Sequence, residues 1–91
     1  MPKIATAEQV DREALLEFLR PRHRAVLLTR RRDGGAQLSP VTCGVDDDGR
    51  IVVSTYPQRA KVANVRRDPA VSLGVLSDDW DGPGRQVDGQ A

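Results

Sequence analysis

Ala25-Val26-Leu27-Leu28-Thr29-Arg30-Arg31-Arg32-Asp33-Gly34-Gly35-Ala36-Gln37-Leu38-Ser39-Pro40-Val41-Thr42-Cys43-Gly44-Val45 reads as two β-strands joined by a hairpin. The opening run, Ala25 to Thr29, is continuously apolar up to its hydroxyl, the pattern of a strand buried on both faces. Asp33-Gly34-Gly35 is a hairpin signal, because glycine accepts the positive φ that tight turns demand. In the return strand Val41, Cys43 and Val45 share one parity while Leu38 sits on the other. Ser39-Pro40 lies between them, and proline is tolerated inside a sheet only at edges or bulges. The expectation is a β-bulge at Ser39-Pro40, with Gln37, Ser39 and Thr42 around the kink and facing a functional cleft.

Outward from this hairpin the period of the sequence changes twice. Asp46-Asp47-Asp48-Gly49 is a turn, and Ile51-Val52-Val53-Ser54-Thr55 a third strand. Val71, Leu73 and Val75 alternate with Ser72 and Gly74, giving a strand over about 70–76 with one core face, and a fifth begins at about 85–90. Between the third and fourth strands, residues 60–67 read as a short helix stopped by Asp68-Pro69. Near the N-terminus, Val10, Ala14, Leu15, Phe18 and Leu19 fall on one helical face. Thr6 and Gln9 form a capping-box signal and Pro21 a stop, so the helix is expected over residues 6–20. The fold class is mainly β (α+β): an antiparallel split β-barrel, incomplete here, in a single domain over residues 1–91. An open five-stranded sheet has two edges to protect, and closure needs at least one further strand.

Composition sets the scale of the core and removes several functions. Ninety-one residues bury only about 60–65% of their unfolded surface, and with one Phe, one Tyr and one Trp the core must be aliphatic. So thin a core predicts a partner subunit. A net charge of +1 implies no global electrostatic partner, and the arginines lack the interleaved aromatics of a nucleic-acid surface. Asp46-Asp47-Asp48 and Asp78, Asp79 and Asp81 read as solvated turns, and His23 as exposed. The single Cys43 excludes an intrachain disulfide and a multi-cysteine metal site. On the apolar parity of its strand it reads as a small buried hydrophobe. No signal peptide or apolar run of ~20 residues is present, so the chain is expected to be soluble and cytoplasmic. Trp80, in a Gly/Asp-rich loop, reads either as a lid over a ligand or as a loop anchor.

The chemistry concentrates in Ser54-Thr55-Tyr56-Pro57-Gln58-Arg59-Ala60-Lys61-Val62-Ala63-Asn64. A strand end delivers two hydroxyls, and a helix start carries Arg59 and Lys61. Hydroxyls, free backbone N–H groups and a helix dipole all favour anions, Arg grips a phosphate in bidentate fashion, and Lys adds a point charge. The two cations are two residues apart, so they either converge on one anion or stand as separate surface charges. No acid–base dyad and no metal-ligand cluster accompanies them.

Arg22-His23-Arg24-Ala25-Val26-Leu27-Leu28-Thr29, Asp33-Gly34, Gln37-Leu38-Ser39-Pro40-Val41, Arg59-Ala60-Lys61 and Asn64-Val65-Arg66-Arg67-Asp68-Pro69 together resemble the pyridoxamine 5′-phosphate oxidase-like split-barrel proteins. The likeness runs from about residue 8 to the end. It is strongest to the deazaflavin (coenzyme F420)-dependent oxidoreductases, whose tail the segments Trp80-Asp81-Gly82-Pro83 and Gln86-Val87-Asp88-Gly89 also resemble. The resemblance implies a homodimer with the cofactor in a cleft between subunits. Arg59 and Lys61 would hold its phosphate, Ser54 and Thr55 would donate to the same region, and Gln37, Ser39, Pro40 and Val41 would line its ring, with Asn64 in the same site. It implies hydride transfer between reduced F420 and a small planar or conjugated substrate, with FMN as the alternative cofactor and no catalytic residue of the protein's own. A binding module holding flavin, deazaflavin or haem without turnover, or a truncated inactive copy, are the other readings. Family members run several tens of residues further, so the resemblance also implies a C-terminally short chain.

Overall fold

The computed structural model describes residues 11–56, 58–78, 82 and 84–91. In chain order the elements are α1 (Arg12–Leu19), β1 (Arg24–Arg30), β2 (Ala36–Val45), β3 (Ile51–Ser54), α2 (Ala60–Arg67), β4 (Ala70–Val75) and β5 (Arg85–Gln90). The strands form one antiparallel sheet in the order β3-β2-β1-β4-β5, curled into a half-barrel in which, among the described residues, no further strand pairs with either edge.

The inner face carries the core. Ala25, Leu27, Cys43, Leu73 and Val75 are buried there with Leu19 of α1, and Ile51, Val53, Val71 and Val87 pack around them. Leu19 and Val75 are almost wholly excluded from water, and each such burial stabilises the fold by about 1.5–3 kcal/mol. Leu19→Ala would detach α1 from the sheet at a cost of about 2–5 kcal/mol. Helix α1 starts at Arg12. Asp11 is its N-cap, in extended backbone, and its carboxylate accepts the Ala14 N–H at 2.8 Å. That cap lies five residues beyond the one expected at Thr6; Thr6 and Gln9 fall outside the described residues. Gly34 (φ 87°) and Gly49 (φ 78°) sit in the two hairpin turns, in the left-handed region that a side chain resists.

Two expectations are corrected. β1 is buried on one face only: Ala25, Leu27 and Thr29 face inward, while Val26 is exposed and Leu28 half-buried on the outer face. A continuous apolar run therefore does not mark a strand covered on both sides here. Nor is there a bulge at Ser39-Pro40. The β1–β2 register runs unbroken, with Val26 opposite Pro40, Leu27 opposite Ser39 and Leu28 opposite Leu38. Leu38 is simply an outward residue, 66% exposed. Proline is accommodated by hydrogen-bond phase. The Cys43 N–H bonds to the His23 carbonyl, so odd residues of β2 pair with β1 and even residues turn their backbone groups to the other side. β3 pairs only with residues Thr42–Val45. Pro40 thus stands where an N–H would have pointed at an open edge, and the ladder loses nothing.

Candidate functional site

Because β3 ends opposite Thr42, the edge of β2 from Ala36 to Val41 is uncovered, and the chain leaves it through Thr55 and Tyr56 into α2. A cleft of about 800 Å³ occupies this corner. Its lining contains Gln37, Ser39, Pro40, Val41, Ser54, Thr55, Arg59 and Lys61, eight of the nine residues expected in the site, gathered from two strand segments and a helix start. By the phase of the ladder, the N–H and C=O of Leu38 and the C=O of Pro40 point into the opening.

The electrostatics of the corner are set by the start of α2. Arg59 is the N-cap residue but makes no side-chain cap, and no acidic residue lies in the first turn. The N–H groups of Val62 and Ala63 reach the Arg59 carbonyl, whereas those of Ala60 and Lys61 precede any intrahelical acceptor. The partial positive charge of the helix start is therefore left without a carboxylate of its own. Arg59 lies 5.7 Å from the centroid of the Tyr56 ring, within cation–π reach. The Thr55 hydroxyl makes one long contact, 3.5 Å to the Tyr56 carbonyl.

Asn64 is placed differently. It is buried beneath the cleft, and its amide donates to the Thr29 hydroxyl at 3.0 Å and to Gln37 Oε1 at 3.1 Å. Its Oδ1 accepts from Arg67, which also donates to the Arg30 carbonyl at 2.7 Å. Gln37 in turn donates to Ser39 Oγ at 3.5 Å. This network ties α2 to β1 and β2 under the cleft floor, so Asn64 shapes the site from below. Leu38, Thr42, Tyr56 and Ala60 also line the cleft; Thr42 was expected to face it and Leu38 lies within the stretch 37–41 expected along the ring, whereas Tyr56 and Ala60 had no assigned role. Tyr56 had a signal, as the chain's only tyrosine, beside the cationic pair. The others depend on where β3 stops.

Elsewhere, His23 is exposed and its Nδ1 donates to the Cys43 carbonyl at 2.9 Å. Burial pushes the Cys43 thiol above its ordinary pKa, which makes it a poor nucleophile. Trp80 lies outside the described residues. Among the described residues no helix is long and apolar enough to cross a membrane.

A half-barrel with an uncapped helix start beside a free strand edge is the framework of a split-barrel protein. A model of the pyridoxamine 5′-phosphate oxidase family matches residues 11–91, and the chain belongs to that family. Among solved structures it is similar to an F420 reductase, at 31% identity and TM-score 0.68, over 86% of this chain and 59% of that one. It is also similar to a conserved hypothetical protein from Mycobacterium tuberculosis, at 26% identity and TM-score 0.76, over 98% of this chain and 56% of the other. A third structure, 18% identical with a TM-score of 0.77, shares the fold. The chain thus spans between 56% and 59% of the length of these structures.

Proposed function

We propose that the cleft binds F420, with FMN as the alternative, and that the chain works as an F420-dependent oxidoreductase on a small planar or conjugated substrate. The observation that carries this reading is the uncapped start of α2, flanked by Arg59, Lys61, Ser54 and Thr55 at one end of the free β2 edge. The donor set fits the group: cations, hydroxyls and helix N–H groups suit a phosphate. The aliphatic side chains of Leu38 and Pro40 on the outer face of β2, with backbone donor and acceptor beside them, suit a ring with a polar edge. When bound, the cofactor supplies hydride transfer. The protein's part is to grip the phosphate through Arg59 and Lys61, to hold the ring against β2, and to exclude water from its face.

The outer sheet face supports a homodimer. Val26, Leu38 and Val52 are exposed there, Leu38 at 66% and Val52 at 48%, and a second copy laid over them would wall the cleft that Leu38 and Pro40 border. An equilibrium titration with F420 and with FMN, followed by fluorescence, tests the reading. Tighter binding of F420 is expected. FMN binding tighter than F420 would move the chain to the alternative cofactor, and binding of neither would end the proposal. Sedimentation showing a folded 10.0 kDa monomer at micromolar concentration would remove the dimer.

A further inference from the structure

Charge is spread unevenly over the fold. Residues 30–37 and 59–68 hold seven of the fourteen Lys and Arg residues but only two of the thirteen Asp and Glu residues, a net charge of +5. The whole sequence carries +1, so the remainder carries −4. The fold brings the two cationic segments together. Arg30, Arg31 and Arg32 enter the β1–β2 hairpin, and Arg30 stands opposite Ala36, next to the cleft-lining Gln37. Arg59 and Lys61 lie at the start of α2 in the cleft wall, with Arg66 and Arg67 in its last turn. The Arg67 guanidinium donates to the Arg30 carbonyl and Asn64 donates to Gln37, so helix and hairpin form one cationic flank. Of its two acids, Asp33 is paired with Arg31 at 3.4 Å, and Asp68 accepts the Ala70 N–H. Among the described residues no carboxylate pairs with any other cation of the flank. The acidic turn of Asp46, Asp47 and Asp48 lies at the far end of β2, whose ten residues span about 30 Å.

We propose that this flank concentrates anions at the mouth of the cleft and sets the rate at which an anionic ligand is captured, not how long it stays. The geometry separates the two roles. Arg59 and Lys61 line the cleft and can touch what is bound, whereas Arg30, Arg32 and Arg66 line no part of it and act only through their field. Arg66 stands six residues beyond Ala60, about 9 Å along the helix axis, close to the ~8 Å Debye length at physiological salt. A field of that reach is felt during approach and is erased by added salt. Six of the seven cations are arginines, which stay charged throughout the physiological range, so ionic strength and not pH controls the effect. The inference rests on the phosphate reading of the corner for the identity of the ligand, but the field itself is measurable with no ligand present.

Two measurements on the 91-residue chain test it. The first compares an anionic with a cationic nitroxide as relaxation agents for backbone amide protons. The anionic probe is expected to relax Leu38, Ala60 and Lys61 more strongly than the cationic one, with the order reversed at Asp47 and Gly49. Combining Arg30→Gln, Arg32→Gln and Arg66→Gln should shrink the contrast at the cleft amides, with folding checked by circular dichroism. The second follows the capture of F420 and of FMN by stopped-flow fluorescence. In the triple variant the association rate should fall about three- to tenfold at ~0.01 M salt and not at all at ~1 M, with the dissociation rate unchanged. Lys61→Ala should instead act chiefly on dissociation. Arg12→Gln with Arg20→Gln, which removes cations of α1, should change the association rate less than about twofold. A missing amide contrast, a contrast that the triple variant leaves intact, or a triple-variant effect on dissociation alone would overturn the proposal. Failure of both F420 and FMN to bind would end the cofactor reading, while the amide contrast would still decide whether the flank gathers anions at the cleft.

Discussion

Asn64→Ala offers a sharp probe of how the site is held. The native amide is 6% exposed and serves Thr29 and Gln37 as donor and Arg67 as acceptor. Truncation leaves the Thr29 hydroxyl, itself fully buried, without this partner. An unsatisfied buried polar group costs about 1–3 kcal/mol, and each lost hydrogen bond about 0.5–1.5 kcal/mol. The expected destabilisation is about 2–4 kcal/mol, a large share of the ~5–15 kcal/mol that holds a domain together. At about 4–8 °C per kcal/mol for a domain of this size, the melting temperature should fall by at least ~8 °C. Thermal and urea unfolding of the wild type, Asn64→Ala, Thr29→Val and the double variant provide the assay. Because Thr29→Val removes the hydroxyl that Asn64→Ala strands, the double variant should cost less than the sum of the singles. A change below ~0.5 kcal/mol for Asn64→Ala, or strict additivity in the cycle, would refute the bracing role.

Further outcomes follow from the same geometry. Arg67→Ala should weaken folding by about 1 kcal/mol through loss of its bonds to the Arg30 carbonyl and Asn64, while Arg66→Ala should be near neutral; equal denaturant midpoints for the two variants would contradict this. Pro40→Ala should cost no more than about 1 kcal/mol, chiefly by loosening the unfolded chain, because no ladder bond depends on that position. A larger loss would mean the β2 edge is not open there. The Arg50 N–H, and then the Arg50 side chain, hold the Asp46 carboxyl below its ordinary pKa. A group depressed in the fold stabilises it above its unfolded pKa, and that contribution is lost as pH falls through the folded value. Asp46→Asn should therefore flatten the acid limb of the stability curve below about pH 4, and an unchanged acid limb would contradict the assignment.

The strand alternation of Val71, Leu73 and Val75, the two glycine turns and the short helix before Asp68-Pro69 were legible in the sequence because each is a local pattern. So was the grouping of Ser54, Thr55, Arg59 and Lys61, which are neighbours in the chain. What escaped was set by pairing partners. Pro40 looked like a defect because its place in the ladder depends on β3 stopping opposite Thr42. Leu28 looked like core because periodicity does not say whether a sheet's second face is covered. Asn64 looked like a ligand contact because the Thr29 and Gln37 that it joins lie on other strands.

Affinity for F420, measured by equilibrium fluorescence titration of the wild type, Lys61→Ala, Arg59→Ala and Arg66→Ala, tests the account most directly. Each charge-assisted hydrogen bond to the phosphate contributes about 1.5–3 kcal/mol. Lys61→Ala should thus weaken binding roughly ten- to a hundredfold, Arg59→Ala at least as much, and Arg66→Ala hardly at all. Equal, mild effects of Lys61→Ala and Arg66→Ala would show the start of α2 to be an ordinary solvated helix end, and would contradict the claim that this corner holds a phosphate.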